Sequence, residues 1–237
     1  MRRSDTAVIQ EIIARKRART YLELGVLAGE NFFPLRVRHK TAVDPHFGFS
    51  RRVKGRWILK NRANLRAKYR ECTSRAYFAD LKPSARFDVV FVDGLHTYEQ
   101  SLEDVLNSLA HLSDDGVIVI DDCNPRSSSS AYPAQSWADA AALALPGWTG
   151  EWSGEVWKTI CHLRCTRNDV NAWVLDCDSG LGIVTRGRAA DRLRLGQRGS
   201  HATCSDDMVL LDQNAVVETA PVIAAAPAGD GILLSQS

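Results

Sequence analysis

The stretch FDVVFVDGLHTYEQ, Phe87 to Gln100, decides the fold. Apart from Asp88 its first six residues are apolar, a run of strand length suited to a central strand buried on both faces. The run closes on Asp93, turns at Gly94 and presents His96 just ahead of YEQSLEDVLNSLAHL, where Leu102, Val105, Leu106 and Leu109 recur at helical spacing. A buried strand that ends on a carboxylate and a histidine sets polar chemistry at its carboxyl end, which is where open α/β sheets hold their ligands.

The same alternation continues on both sides of this stretch. Upstream, residues 5–18 place Val8, Ile9, Ile12 and Ile13 at helical spacing, then come the strand-like TYLELG and a glycine-containing loop. NFFPLRVRHK is expected to be helical around its middle, and KTAVDP forms a second strand closed by Asp44 and Pro45. A third strand is expected near ECTSRAYF, and DDGVIVIDDCNP supplies another buried one. WKTICHLR and AWVLDCD read as two strands joined by CTRNDVN, which is too short for a crossover helix, so this pair is expected to be antiparallel. The pattern predicts a Rossmann-like α/β fold: a mostly parallel sheet with helices on both faces and a C-terminal antiparallel hairpin. One domain should span residues 1–186. Residues 187–237, rich in Ala, Pro and Gly toward the end, read as a partly disordered C-terminal extension.

The chain has 237 residues, 45% hydrophobic and 24% charged, as in ordinary globular proteins. No apolar run approaches 18 residues and charge interrupts MRRSDTAVIQEIIARKRART, so neither a membrane span nor a signal peptide is expected, which predicts a cytoplasmic location. Six cysteines without a CxxC pair argue for reduced, structural thiols. Residues 51–70, RRVKGRWILKNRANLRAKYR, hold nine Lys/Arg and no acid, leaving 21 basic against 28 acidic residues elsewhere. Ile58, Leu65 and Tyr69 could line one face of a helix there. Such an arm suits an anionic partner or is a solvated helix; it could also act as a lid.

In ELGVLAG, Glu23, Gly25 and Gly29 lie between the first strand and the NFF segment beyond it. Glycines let the backbone bend sharply and approach a ligand, though a tight turn without a ligand would use them too. Asp44 ends the second strand 19 residues after Gly25, where an acid can accept both ribose hydroxyls. A dinucleotide site would prefer glycine at position 27, which is Leu, and Glu23 would repel phosphates while suiting a sulfonium ligand with an amino group. Charge therefore favours S-adenosylmethionine over a nicotinamide dinucleotide.

YLELGVLAGENFF, AVDP, FDVVFVDGLHTYEQSLEDV, GVIVIDDCNP and GEVWK together resemble the class I S-adenosylmethionine-dependent methyltransferases, in particular the methyltransferase-24-type group, over about residues 20–186. The resemblance implies a seven-stranded sheet with its last strand antiparallel, Glu23, Gly25 and Gly29 along the methionine part of the cofactor, and Asp44 at the ribose. Ser74 stands where relatives contact adenine, but its neighbour Arg75 departs from their pattern and leaves that contact open.

Asp93 ends one central strand, and Asp121 and Asp122 end the next, so three carboxylates can gather at one edge. A hard cation such as Mg²⁺ would relieve their repulsion. The set is similar to that of metal-dependent catechol and caffeoyl-CoA O-methyltransferases, a resemblance that also implies a general base three residues after the first acid, here His96. An imidazole with an ordinary pKa of roughly 6.5 is a competent base near neutrality. His96 could instead cap or pack against the helix, and Asp121 and Asp122 could instead contact water and a helix end. Tyr98 reads as core. Trp157 reads as a core anchor, and Trp148 and Trp152 as contacts for an acceptor.

The expectation is an O-methyltransferase acting on a small hydroxylated metabolite, such as a sugar or natural-product intermediate, with an anionic acceptor and metal assistance both admitted and a homo-oligomer not excluded. The alternatives are a noncatalytic S-adenosylmethionine-binding protein, a nucleic-acid methyltransferase using the 51–70 arm, and, more distantly, a nicotinamide oxidoreductase. The chain lacks the NPPY-like motif of base-amino methylases after the Phe87 strand, which weighs against nucleic acid.

Overall fold

The computed structural model describes residues 4–177 and 179–188. The expected C-terminal extension therefore lies, beyond Arg188, outside the described residues. Along the chain run α1 (Asp5–Lys16), β1 (Thr20–Leu24), β2 (His39–Asp44), α2 (Arg51–Lys60), β3 (Lys68–Glu71), α3 (Ser74–Ala79), β4 (Phe87–Val92), α4 (Tyr98–Ala110), β5 (Leu112–Ile120), α5 (Trp137–Ala142), α6 (Trp157–Thr166), β6 (Val170–Leu175) and β7 (Leu181–Arg186). The seven strands form one sheet in the order β3-β2-β1-β4-β5-β7-β6. Neighbours from β3 to β5 are parallel, while β6 and β7 are antiparallel. This is the Rossmann-like fold expected from the sequence. None of the described helices is long and apolar enough to cross a membrane, and the described cysteines carry free thiols.

The chain divides into two compact units, residues 1–94 with 103–120, and residues 95–102 with 121–237. The first unit is built on β1, buried from Tyr21 to Leu24, and on β4, where Val89, Val90 and Phe91 are fully buried. α1 packs on β4 and β5 through Val8, Ile9, Ile12 and Ile13. Each of those side chains contributes roughly 1.5–3 kcal/mol of burial. Strand order reverses between β1 and β4, making a switch point at their carboxyl ends.

Two expectations fail in this unit for local reasons. No helix forms over NFFPLRVRHK. Pro34 has no N–H to give, and side chains from elsewhere take the carbonyls that a helix would use internally. Lys40 Nζ donates to the carbonyls of Phe32 (2.6 Å), Phe33 (3.4 Å) and Leu35 (3.0 Å). Asn61 Nδ2 donates to Phe33, Pro34 and Leu35 at 2.9, 3.1 and 2.9 Å, and Asn64 Nδ2 to Phe33 at 3.1 Å. The basic arm is likewise not one helix. α2 stops at Asn61, a 3-10 turn covers Arg62–Arg66, and Tyr69 lies in β3, so Ile58, Leu65 and Tyr69 share no helical face. The third strand lies near ECTSRAYF as expected but ends on its first residue, Glu71, and Ser74–Phe78 of that stretch belong to α3, capped by Thr73. Trp57 stacks on Phe33 at 5.7 Å, and Lys54 sits over the Tyr69 ring at 3.9 Å. These contacts pin the arm to its own unit.

In the second unit the antiparallel pair is real, but its members differ from those expected. WKTICHLR is α6, and the hairpin joins β6 to LGIVTR. Val156, Ile160 and Leu163 are buried at helical spacing, a period the strand reading overlooked.

Candidate functional site

In the first unit, the carboxyl ends of β1, β2 and β4 meet at the glycine loop. Gly25 has φ +81°, and a Cβ there would lie 1.8 Å from the Asp93 carbonyl oxygen, so only glycine lets β1 turn against the end of β4. The Asp93 amide donates to the Leu24 carbonyl at 2.8 Å and closes this approach. Gly29 ends the turn by donating its amide to Val26. Asp44 fixes the loop from the side: Oδ2 accepts from the amides of Val26 (2.7 Å) and Leu27 (2.8 Å), and Oδ1 from His46 (2.8 Å). Leu27 at the tip is exposed.

Glu23 is 2% exposed and accepts a short hydrogen bond from the Tyr21 hydroxyl. Burial pushes its carboxyl up to about 8, Asp93 and Asp44 add to the rise, and Tyr21 and Lys40 oppose it. Glu23 therefore keeps its proton near neutrality, and the negative charge beside the loop is that of Asp44 and Asp93. Ser74 opens α3, just after β3. Arg75 is held in a two-pronged ion pair with Glu103, at 2.8 and 2.6 Å.

In the second unit, His96 is clamped by the segment after α5. Its Nδ1 lies 2.9 Å from the Trp152 carbonyl and 3.4 Å from Asp122 Oδ2, and its ring stacks on that of Trp152 at 5.2 Å. Ser153 Oγ donates to Asp122 Oδ1 at 2.8 Å, and the Glu155 amide donates to the His96 carbonyl at 2.9 Å. Gly154, with φ +55°, passes so close that a Cβ would lie 2.2 Å from the His96 carbonyl oxygen. Ser130 holds the segment from behind, its carbonyl accepting from Ser153 and Gly154. A carbonyl and a carboxylate both face Nδ1, so Nδ1 carries the proton and Nε2 the lone pair. The dyad has the chemistry of an oriented general base.

Asp121 Oδ1 accepts from the Asp122 amide at 2.8 Å, and Asp122 sits at φ +58°. Trp152 is largely buried, with Nε1 donating to the Tyr132 carbonyl, and Trp148 lies 6.3 Å from Trp137. Tyr98 Oη lies 2.7 Å from His162 Nδ1. Sequence reasoning missed Ser153 as a partner of Asp122, and Gly154 and the Trp152 carbonyl as neighbours of His96. The signal available was the WSG tripeptide, small residues beside a tryptophan, but nothing in the chain ties it to position 96.

Residues 22–123 match the model of a methyltransferase-domain family, Methyltransf_24. Over these residues the chain is similar to a methyltransferase domain, and its sheet has the Rossmann-like order described above. Solved structures share the domain's fold at low identity. A protein from Staphylococcus aureus assigned as a caffeoyl-CoA O-methyltransferase superposes with TM-score 0.57 at 14% identity, covering 79% of this chain and 85% of its own. The O-methyltransferase TomG of Streptomyces achromogenes, solved with S-adenosylmethionine, gives 0.54 at 14% over 76% and 78%. An O-methyltransferase from Bacillus cereus with S-adenosylhomocysteine gives 0.54 at 14% over 78% and 82%. No curated protein sequence matches the chain.

Proposed function

We propose that the methyltransferase domain binds S-adenosylmethionine at the Gly25 loop and methylates a hydroxyl oxygen of a small, hydroxylated acceptor, with His96 as general base. The observation that carries this reading is the placement of His96 Nδ1 against the Trp152 carbonyl and Asp122, which favours the proton on that nitrogen. S-adenosylmethionine, when bound, supplies an electrophilic methyl carbon on a sulfonium, and the sulfur leaves with the bonding pair as S-adenosylhomocysteine. Asp44 and Asp93 give the loop the charge that fits a cationic ligand, and Glu23, which keeps its proton near neutrality, offers it a polar wall. As the acceptor oxygen attacks the methyl carbon, His96 Nε2 takes its proton, and Asp122 steadies the resulting imidazolium. Asp93 borders both the loop and the segment that carries His96.

Mg²⁺ fits the donor set that Asp93, Asp121 and Asp122 would offer. β4 and β5 are neighbours with Val92 opposite Ile120, so Asp93 and Asp121 come directly after paired residues in the chain and Asp122 one residue later, and each would be a hard oxygen donor. Such an ion would polarise the acceptor oxygen and lower its pKa. The acceptor, by its class, is a small metabolite such as a sugar or natural-product intermediate, and an anionic one is admitted.

The test is turnover of a hydroxylated acceptor panel together with calorimetric S-adenosylhomocysteine binding. His96→Ala should cut turnover by about 10²–10⁴-fold and leave S-adenosylhomocysteine affinity within about twofold. Asp122→Asn should lower turnover less and shift its pH profile. Unchanged turnover in His96→Ala removes the base; absence of S-adenosylhomocysteine binding in the intact protein removes the whole reading. Exhaustive EDTA treatment should slow turnover at least tenfold, with recovery on adding Mg²⁺; full activity after chelation rejects the ion.

A further inference from the structure

The first unit carries a cavity of about 330 Å³ at the amino ends of its strands, lined by Thr20, His39, Lys68 and Phe87 where β1 to β4 begin. This is the opposite edge of the strands from the glycine loop. Arg66, Lys68, Arg70, Arg86 and His39 line it and are solvent-exposed, and no Asp or Glu does. Lys68 and Arg70 alternate with Tyr69 along the edge strand β3, so their side chains share one face while Tyr69 turns to the aromatic side.

The cations are not neutralised from within. Among the described residues Arg66, Lys68 and Arg70 form no ion pair. Arg86 is held by backbone alone, donating to the carbonyls of Pro83 (2.7 Å) and Ala85 (2.8 Å). The acid at the start of β4, Asp88, accepts from the amides of Arg19 and Thr20 and from the Ser113 hydroxyl. The inner wall is different in character. Tyr77 and Phe87 are buried there beside Leu81, and Thr41 is within hydrogen-bonding reach of the Tyr77 hydroxyl.

We propose that this cavity is a binding site, separate from the methyl-transfer site, for a small ligand bearing two linked phosphoryl groups. Lys68 and Arg70 stand two residues apart on the strand, about 6.6 Å, a span that adjacent phosphoryl groups bridge and one carboxylate does not. Arg66 and Arg70 add guanidinium forks, which match phosphate oxygens in pairs. A volume at the low end of small-molecule sites, with an apolar wall behind a cationic rim, suits a compact organic diphosphate.

Inorganic pyrophosphate is the probe, titrated by calorimetry into the full chain at fixed ionic strength, with orthophosphate and a short single-stranded oligonucleotide as comparisons. Pyrophosphate should bind at least tenfold more tightly than orthophosphate. Arg66→Gln/Lys68→Gln/Arg70→Gln should weaken it at least tenfold while S-adenosylhomocysteine affinity stays within about twofold. The three side chains are exposed, so the variant should melt with the parent; Lys68→Gln alone should lose at least threefold if the triple variant does not fold. No binding at millimolar pyrophosphate, or equal binding by the variants, overturns the proposal. Oligonucleotide binding without pyrophosphate binding also overturns it and assigns the face to nucleic acid.

Discussion

The two ends of strands β1, β2 and β4 carry opposite charge and hold it in opposite ways. At the carboxyl ends, Glu23 and Asp44 are buried, and their carboxyl groups, bonded to the Tyr21 hydroxyl and to the Val26 and Leu27 amides, shape the loop they sit in. At the amino ends, His39, Lys68 and Arg86 stand exposed with no carboxylate opposite them. The carboxylates at one end are structural before any ligand arrives. These exposed cations contribute little to the fold, since exposed charges without partners rarely do, whereas buried Lys40, which lines the same cavity, holds the carbonyls of Phe32, Phe33 and Leu35. A residue's role is thus better judged by what its polar atoms already hold than by its charge.

The sharpest way to break the comparison is at Gly25. A methyl group there meets the Asp93 carbonyl at 1.8 Å from a left-handed backbone, and neither strand can yield because both are buried. Gly25→Ala should lower unfolding free energy by at least about 3 kcal/mol and abolish S-adenosylhomocysteine binding. Urea unfolding of the variant within about 1 kcal/mol of the parent would mean that the two strand ends do not meet as described. Lys68→Ala at the amino end should change stability by less than about 0.5 kcal/mol.

A second, smaller effect separates the ends by pH. Glu23 titrates at about 8 when folded against 4.5 for an ordinary glutamate, chiefly because it is buried. The folded protein keeps this proton where the unfolded chain has lost it. Its contribution to stability is complete below pH 4.5, declines as pH rises and is gone above about 8. Lys40 is pushed down to about 7 by burial, and its contribution has the opposite slope, falling as pH drops from 10.5 toward 7. Below pH 7 the Glu23 slope therefore stands alone of the two. Glu23→Gln, which preserves shape and a partner for Tyr21, should flatten the thermal-stability profile between about pH 5 and 7. An unchanged slope would show that Glu23 is ionised throughout.

β4 and β5 were legible because burial on both faces writes itself as unbroken apolar runs such as Val89–Val92, whereas the exposed edge strand β3 (KYRE) carries no such run. The antiparallel pair was legible only as a kind of ending: α6 was taken for a strand because β-branched Thr159 and Ile160 sit beside aromatic Trp157, while the spacing of Ile160 and Leu163 was overlooked. NFFPLRVRHK misled for a subtler reason. Its carbonyls are satisfied by Lys40, Asn61 and Asn64, up to 31 residues away along the chain, and no local pattern encodes such distant donors. His96 and Asp122 could be picked out by type and position at strand ends. Their pairing could not, since it depends on a segment 56 residues beyond His96 folding back to present the Trp152 carbonyl.

The smallest expected effect sharpens the carboxyl end at α3. Arg75 comes directly after Ser74, where relatives of this family contact adenine, and a cation there could either join the pocket or stay out of it. Both its Nε and Nη2 donate to Glu103, and that pair draws the Glu103 carboxyl below its ordinary range. The guanidinium is solvent-exposed, so water and salt screen the pair and its loss should shift the melting temperature by no more than about 2 °C. Arg75→Ala should also leave S-adenosylhomocysteine affinity within about twofold, because the side chain is turned toward α4 rather than offered to a base. A tenfold loss of affinity with an unchanged melting temperature would place Arg75 in the pocket and would mean that the Glu103 pair opens when the ligand binds. Repeating the titration with Glu103→Gln separates the two cases: a released Arg75 that belongs to the pocket should then tighten binding, and one that does not should leave it unchanged.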